Sequence, residues 1–212
     1  MPRTCAFPNA YVNTDEPPGR SMVRRILCAV AAAGVGYFGA VILVLSLETT
    51  QYNPVTQFAS DYGVGTYGPE MNSGFFLAGA GVIALALTIL TSRGTRAQKT
   101  GAACLLPAGL ALLLSGSFQT DLEGAVPTFH GAVHNIAGVV FFLVSPVGLI
   151  LISKGFGRLW LVVTAVAFAS GLLFAVANSS IGLNATGLSE RVVILFLFAS
   201  MILTSVRVYR EV

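Results

Sequence analysis

The chain has 212 residues, of which 55% are hydrophobic and only 10% are Asp, Glu, Lys or Arg, and its net charge is +3. A single soluble core of this size cannot bury so much apolar surface, so the mean hydropathy of +0.79 predicts an integral membrane protein. The small positive charge is accompanied by no basic domain and no aromatic platform for base stacking, which excludes a nucleic-acid-binding protein.

Residues 1–21 precede the first apolar run and are rich in proline, with few aliphatic side chains. This composition is typical of a segment that cannot bury enough apolar surface to fold. The sequence therefore predicts a flexible cytosolic N-terminal tail over residues 1–21 and a transmembrane domain over residues 22–212.

Six apolar runs follow the tail, and each is long enough to cross a membrane as a helix, for which about 20 residues suffice. They lie at about 26–47, 73–90, 101–118, 131–152, 159–177 and 192–206. The runs are apolar on every face, whereas the strands of a membrane β-barrel alternate between apolar and polar residues. The predicted fold is an all-α integral membrane protein, a six-transmembrane-helix bundle.

Positive charge is distributed unequally between the two sides of this bundle. Of the 12 Lys and Arg residues, all but Arg191 lie before the first run, after the last run, or in the connections after the second and fourth runs. The positive-inside rule therefore places both termini in the cytoplasm and predicts a multi-pass protein of the cell membrane.

The opposite, extracytoplasmic side carries most of the remaining polar chemistry. Both histidines lie there, with six of the nine acidic residues, namely Glu48, Asp61, Glu70, Asp121, Glu123 and Glu190. The middles of the six runs contain no Asp, Glu, Lys or Arg, whereas a coupled transporter usually carries ionisable groups near the membrane midplane. A small-molecule transporter is therefore ranked third among the functions.

The first extracytoplasmic loop, at about 48–72, is longer than the cytoplasmic connections and contains Tyr52, Phe58, Tyr62 and Tyr67. Two interpretations are open. The aromatic side chains form a collar at the headgroup level, which tyrosine favours, or the loop forms a lid or a pocket wall.

Polar residues mark the expected helix starts on this side. Asn72, Thr128 and Ser189 each precede an apolar run, and such side chains accept hydrogen bonds from the free N–H groups of a first helical turn. Glu190 then falls in the expected first turn of the last helix, where the helix dipole favours a carboxylate.

His130 and His134 are four residues apart at the start of the fourth run, so both imidazole rings are expected on one side of the helix. Such a pair is half of a metal site, for zinc or another divalent metal, and Asp121 and then Asp61 are the candidates for a further ligand. Two other interpretations stay open: structural hydrogen bonding, and acid–base catalysis or substrate binding.

The carboxylates of Asp61 and Asp121 can reach the same rim of the bundle as the histidines. The predicted catalytic residues are Asp61, Asp121, His130 and His134. The predicted substrate-binding residues are Ser60, Tyr62, Glu190 and Arg191. Arg191 is expected either to form an ion pair with Asp121 or Asp61, or to clamp an anionic headgroup through its planar guanidinium.

Several short motifs occur in a fixed order relative to the apolar runs. They are Tyr52-Asn53-Pro54, Gln57-Phe58-Ala59-Ser60-Asp61, Asn72-Ser73-Gly74-Phe75, Phe118-Gln119-Thr120-Asp121, the pair His130 and His134, and Gly187-Leu188-Ser189-Glu190-Arg191. With these motifs the chain resembles, over about residues 26–208, the six-helix membrane family catalogued as domain of unknown function 998. The resemblance implies a six-helix bundle and supplies no substrate.

The leading functional hypothesis is an enzyme or binding protein for a lipid-like or isoprenoid substrate, which enters laterally between helices and meets the polar cluster. A hydrolase, an isomerase and a cyclase are all compatible with these residues, and whether the protein is an enzyme is left open. The alternative is a non-enzymatic membrane assembly or sensing protein, in which the cluster only locks the helix ends together. Membrane lipids are the expected partners.

Overall fold

A computed structural model of the chain describes residues 18–48, 50–158 and 184–211, together with 160–162, 164–166, 168, 169 and 172. Within these residues there is no β-strand. The long helices are α1 (Pro18–Glu48), α2 (Gly68–Thr91), α3 (Arg96–Ser117), α4 (Phe129–Ser153) and α5 (Thr186–Glu211), and two short 3-10 helices span Ala59–Gly63 and Lys154–Phe156. Among the helices of the described residues, five are long and apolar enough to cross a membrane.

Five of the six predicted runs are therefore confirmed as apolar helices. The remaining run, 159–177, falls largely outside the described residues, although those described between 158 and 172 are helical. Residues 18–21 of the predicted tail belong to α1, and residues 1–17 lie outside the described part of the chain.

The predicted helix starts are confirmed at one position and displaced at another. Thr128 is the N-cap of α4, and its hydroxyl accepts a hydrogen bond from the Gly131 N–H at 3.0 Å. Asn72, in contrast, lies inside α2, which begins one turn earlier at Gly68. Pro69 explains the earlier start, because its fixed φ suits a first helical turn and its missing N–H costs nothing there.

The start of the last helix is displaced in the same direction. Helix α5 begins at Thr186, and the Ser189 hydroxyl donates to the Ala185 carbonyl oxygen at 3.0 Å, so that Ser189 is not the cap. Glu190 consequently lies in the second turn of α5 and not in the first.

Glycine allows neighbouring helices to approach closely. A Cβ atom on Gly34 of α1 would lie 2.2 Å from the Leu77 carbonyl oxygen of α2, and one on Gly101 of α3 would lie 2.4 Å from the Gly148 carbonyl oxygen of α4. Such contacts bring helix backbones together in a membrane, where apolar burial alone does not drive helix association.

The helices pack mainly in chain order. Helix α2 packs against α1 and α3, α3 packs against α4, and α1 also packs against α5. Among the described residues, contact between α4 and α5 is slight.

The bundle has two chemically different ends. The loop end comprises the first loop (50–67), the connection 118–128 and the start of α5. The basic end comprises the connections 92–95 and 154–158, the start of α1 and the end of α5. At the basic end, Lys99 Nζ and Arg24 Nη2 donate to backbone carbonyl oxygens at the C-terminal end of α2, where a helix dipole favours positive charge.

Candidate functional site at the loop end

The first loop folds back onto the helix ends. Within its 3-10 helix Ala59–Gly63, the side chains of Asp61 and Tyr62 are buried. Tyr52 is also buried, its hydroxyl donates to the Val64 carbonyl oxygen at 3.0 Å, and its ring centre lies 5.5 Å from that of Tyr62. Because residues 58–60 line a cavity between the helices, this loop forms a pocket wall.

Arg191 joins the first loop to α1 and α5. Its Nη1 donates to the carbonyl oxygens of Gln57 at 2.8 Å and Gly187 at 3.0 Å, and its Nε donates to Ser46 Oγ at 3.1 Å. The guanidinium carbon lies 5.7 Å from the centre of the Tyr62 ring. Two buried atoms at this contact, Arg191 Nη2 and the Tyr62 hydroxyl, have no hydrogen-bond partner among the described residues.

The predicted ion pair of Arg191 with Asp61 or Asp121 is not formed, because no carboxylate of the described residues lies within ion-pairing distance of the guanidinium. Burial raises the pKa of Asp61 to about 6. A hydrogen bond with the Phe58 backbone and the positive charge of Arg191 limit that rise, while the negative charge of Glu123 adds to it. Asp61 is thus a buried acid whose pKa is raised well above that of an exposed aspartate.

Asp121 holds the N-terminal end of α4. Its carboxylate oxygens accept hydrogen bonds from the Thr128 N–H and from the Thr128 hydroxyl, both at 2.7 Å. These bonds, the backbone one first, lower the pKa of Asp121, and the charge of His130 contributes in the same direction. Gly131 leaves the space for this carboxylate, because a Cβ atom there would lie 1.9 Å from Asp121 Oδ2.

The two histidines have different surroundings although they lie on the same helix. His130 is exposed and packs against the rings of Phe118 and Phe129. His134 is buried, and its Nδ1 lies 2.8 Å from the Phe118 carbonyl oxygen and 3.1 Å from the Ser115 carbonyl oxygen. Carbonyl oxygens only accept hydrogen bonds, so Nδ1 carries the proton, and in the neutral ring Nε2 is an acceptor.

A cavity of about 430 Å³ lies between the helices at the loop end, and we call it the inner cavity. Most of its wall is apolar, and the polar side chains in the wall are Ser60, Ser115, Thr120, His134, Asn135 and Glu190. A second, lateral cavity of about 920 Å³ lies between α4, described helical residues of 165–172 and α5. Phe58, Phe142 and Glu190 line both cavities, so the two spaces adjoin at these side chains.

Glu190 connects the cavity wall to the first loop. Its Oε2 accepts a hydrogen bond from the Ala59 N–H at 2.6 Å. Its other carboxylate oxygen, Oε1, has no partner among the described residues and is not buried. His134 Nε2 likewise has no hydrogen-bond partner among the described residues. The cavity wall therefore offers two acceptor atoms to a ligand, Glu190 Oε1 and His134 Nε2.

The structure divides the predicted site residues among three places. Those in the wall of the inner cavity are Ser60, His134 and Glu190. Those in and around the first loop are Asp61, Tyr62 and Arg191. Those at the start of α4 are Asp121 and His130.

The predicted metal ligands His130, His134 and Asp121 are not gathered into one group. Within the part of the chain that the structure describes, no three His, Cys, Asp or Glu side chains could hold a metal ion. The Asp121 carboxylate accepts hydrogen bonds from Thr128, and His134 Nδ1 donates to backbone carbonyl oxygens. The two side chains therefore bind different groups and do not share a ligand.

Sequence reasoning missed Ser115, Thr120 and Asn135, and it missed the aromatic part of the cavity wall. Asn135 could have been found from the sequence, because it follows His134 directly and is a polar amide inside an apolar run. The phenylalanines gave no signal, because a run that is apolar on every face does not reveal which face lines a cavity.

The described helices and the cavity between them define an all-helical protein of the multi-pass membrane class, with polar side chains gathered at one end. The chain belongs to the family described as Protein of unknown function (DUF998), whose model matches residues 30–207. No curated protein and no solved structure gives a match.

Proposed function

We propose that this chain binds a lipid-like or isoprenoid molecule in the inner cavity, with the polar head of the ligand at His134 and Glu190. The observation that carries the proposal is an apolar cavity of about 430 Å³ with one imidazole and one carboxylate in its wall. Ligand sites are commonly apolar spaces of about 300–1,000 Å³ in which a few polar groups fix orientation.

The adjoining lateral cavity supplies a route for a ligand from the bilayer. It lies between α4, described helical residues of 165–172 and α5, and its described wall is predominantly apolar. A hydrocarbon chain can lie in the lateral cavity while the head of the same molecule passes Phe58 and Phe142 into the inner cavity.

Chemistry at this site would be proton transfer. His134 Nε2 would accept a proton from water or from the ligand, and Glu190 would exchange a proton at Oε1. Glu190 thereby takes the role that the sequence assigned to Asp121 or Asp61, since neither of these residues lines the cavity. A hydrolase, isomerase or cyclase could each use this pair.

The alternative function, a non-enzymatic assembly or sensing protein, is supported by the residues outside the cavity. Arg191 and Asp121 are engaged by neighbouring backbone and hydroxyl groups and hold the first loop and the start of α4. We therefore propose structural roles for Arg191 and Asp121, both if the protein is an enzyme and if it is not.

Gly138 offers a direct test, because it lines the inner cavity and a Cβ atom added to it meets no atom within 4 Å. We expect Gly138→Leu to fill the cavity and abolish binding of radiolabelled farnesol by purified protein, while Gly138→Ala retains it. Thermal unfolding of both variants checks that they are folded. Undiminished farnesol binding by a folded Gly138→Leu protein would refute the proposal.

We also propose six membrane spans, with both termini in the cytoplasm of the cell. Support for a sixth span comes from the described residues between 158 and 172, which are helical and predominantly apolar and follow α4 at the basic end. In a cysteine-free background, a membrane-impermeant maleimide should label Glu123→Cys in intact cells and Arg93→Cys only after permeabilisation. The reverse pattern would invert the proposed orientation.

A further inference from the structure

We infer that the ligand head accepted by the inner cavity donates hydrogen bonds and carries no negative charge. This inference rests on the proposed function and names the ligand class of the same site. Lipid alcohols and lipid amines belong to the class, whereas lipid phosphates and free fatty acids at neutral pH do not.

The first argument is the direction of the hydrogen bonds at His134. Its ring proton is held on Nδ1, because both partners of Nδ1 are carbonyl oxygens. The neutral ring therefore offers only a lone pair at Nε2. A ligand group that meets Nε2 must be a donor.

The second argument is the carboxylate of Glu190. The Ala59 N–H occupies Oε2 at 2.6 Å and fixes the side chain on the first loop, while Oε1 remains without a partner among the described residues. When it is ionised, the Glu190 carboxylate only accepts hydrogen bonds and repels a second anion, which is why the test below is made at mildly alkaline pH. Glu190 and His134 together favour a hydroxyl or an ammonium group.

The third argument is the set of side chains around the ligand space. Among the described residues that line the inner and lateral cavities, none is Lys or Arg. The nearest cation along the chain, Arg191, lines neither cavity, and its Nη2 is buried. A phosphate head would leave water and meet the Glu190 carboxylate, and no Lys or Arg among the described lining residues would contact it, which is costly in an apolar environment.

The test compares three ligands that share one fifteen-carbon isoprenoid chain and differ only in the head. Farnesol, farnesylamine and farnesyl phosphate are titrated against purified full-length protein in detergent at mildly alkaline pH. We expect farnesol or farnesylamine to bind at least about tenfold more tightly than farnesyl phosphate, a ratio that corresponds to ~1.4 kcal/mol. Gly138→Leu should abolish binding of the favoured ligand.

The variant Glu190→Gln tests whether the Glu190 carboxylate is the group that discriminates against farnesyl phosphate. The amide keeps the shape of the side chain, removes the negative charge and adds a donor, so the ratio of farnesol affinity to farnesyl phosphate affinity should fall toward one. Phosphate binding equal to or tighter than alcohol and amine binding would overturn the inference and leave the proposed function standing. Failure of all three ligands to bind folded protein would overturn the proposed function itself.

Discussion

At the basic end, Lys99 and Arg24 donate to backbone carbonyl oxygens at the C-terminal end of α2, and Arg207 lies 4.7 Å from the centre of the Phe156 ring. At the loop end, Arg191 also donates to backbone carbonyl oxygens, but it connects a loop to two helices that lie far apart in the chain. The cations of the basic end therefore join helices to one another at the C-terminal ends of α2 and α4, whereas Arg191 holds the first loop that forms part of a cavity wall.

Glycine provides the strongest test of this difference. A Cβ atom on Gly187 at the loop end would lie 1.9 Å from the Gln57 backbone oxygen, whereas one on Gly155 at the basic end would lie 2.1 Å from the buried side chain of Gln98. We expect Gly187→Ala to cost about 3 kcal/mol and Gly155→Ala about 2 kcal/mol, because a side chain can move aside where a backbone cannot, but moving Gln98 breaks its hydrogen bond with the Thr95 N–H. Thermal unfolding in detergent measures both, and equal losses would contradict the comparison.

Arginine-to-lysine substitutions give the next largest expected difference. Arg191→Lys removes a planar donor that serves Ser46, Gln57 and Gly187, and we expect a loss of about 2 kcal/mol together with weaker farnesol binding. Arg207→Lys keeps a charge beside Glu211, its partner at 3.1 Å, and should cost less than about 1 kcal/mol with binding unchanged. A larger loss of stability in Arg207→Lys than in Arg191→Lys would contradict the comparison between the two ends.

Acidic pH should act on the loop end through Asp61. Its folded-state pKa of about 6 lies above the ordinary value of 3.8, so the folded protein binds this proton more tightly than the unfolded chain. The stability from this group is complete below the ordinary pKa and is lost as the pH rises through about 6. We expect the melting temperature of Asp61→Asn to depend less on pH in this window than that of the unmodified protein.

Asp121→Asn is the control for that measurement, because hydrogen bonds with Thr128 lower the pKa of Asp121. Its contribution is present above the ordinary pKa and is lost only as the pH falls through the lowered value. If Asp61→Asn and Asp121→Asn changed the pH profile in the same direction, burial would not be the cause of the Asp61 shift.

Helix caps should give the smallest effects, of similar size at the two ends. Thr128 caps α4 at the loop end, and Thr95 caps α3 at the basic end in a capping box with Gln98. We expect Thr128→Ala and Thr95→Ala to cost about 1 kcal/mol each, since each variant leaves an N–H group of the first turn without its partner. A much larger loss at Thr128 would mean that the α4 cap also supports the cavity through Asp121.

The amino-acid sequence by itself determined the class of protein, five of the described apolar helices, the cap at Thr128 and the concentration of acids and histidines around one end. These features follow from composition and local periodicity, which the chain carries without reference to its neighbours. The start of α5 predicted from the sequence lies about one turn beyond the observed start at Thr186, because a polar residue such as Ser189 inside the first turn resembles an N-cap.

Only the tertiary structure decided which polar residues share a cavity. Ser60, His134 and Glu190 come from the first loop, α4 and α5, and their meeting depends on how these elements pack. The same packing directs Asp121 to Thr128 and Arg191 to Gln57, although the sequence predicts a catalytic role for Asp121 and a substrate-binding role for Arg191. Side-chain type states what a residue can bind, but the backbone around it determines which of its atoms remain available to a ligand.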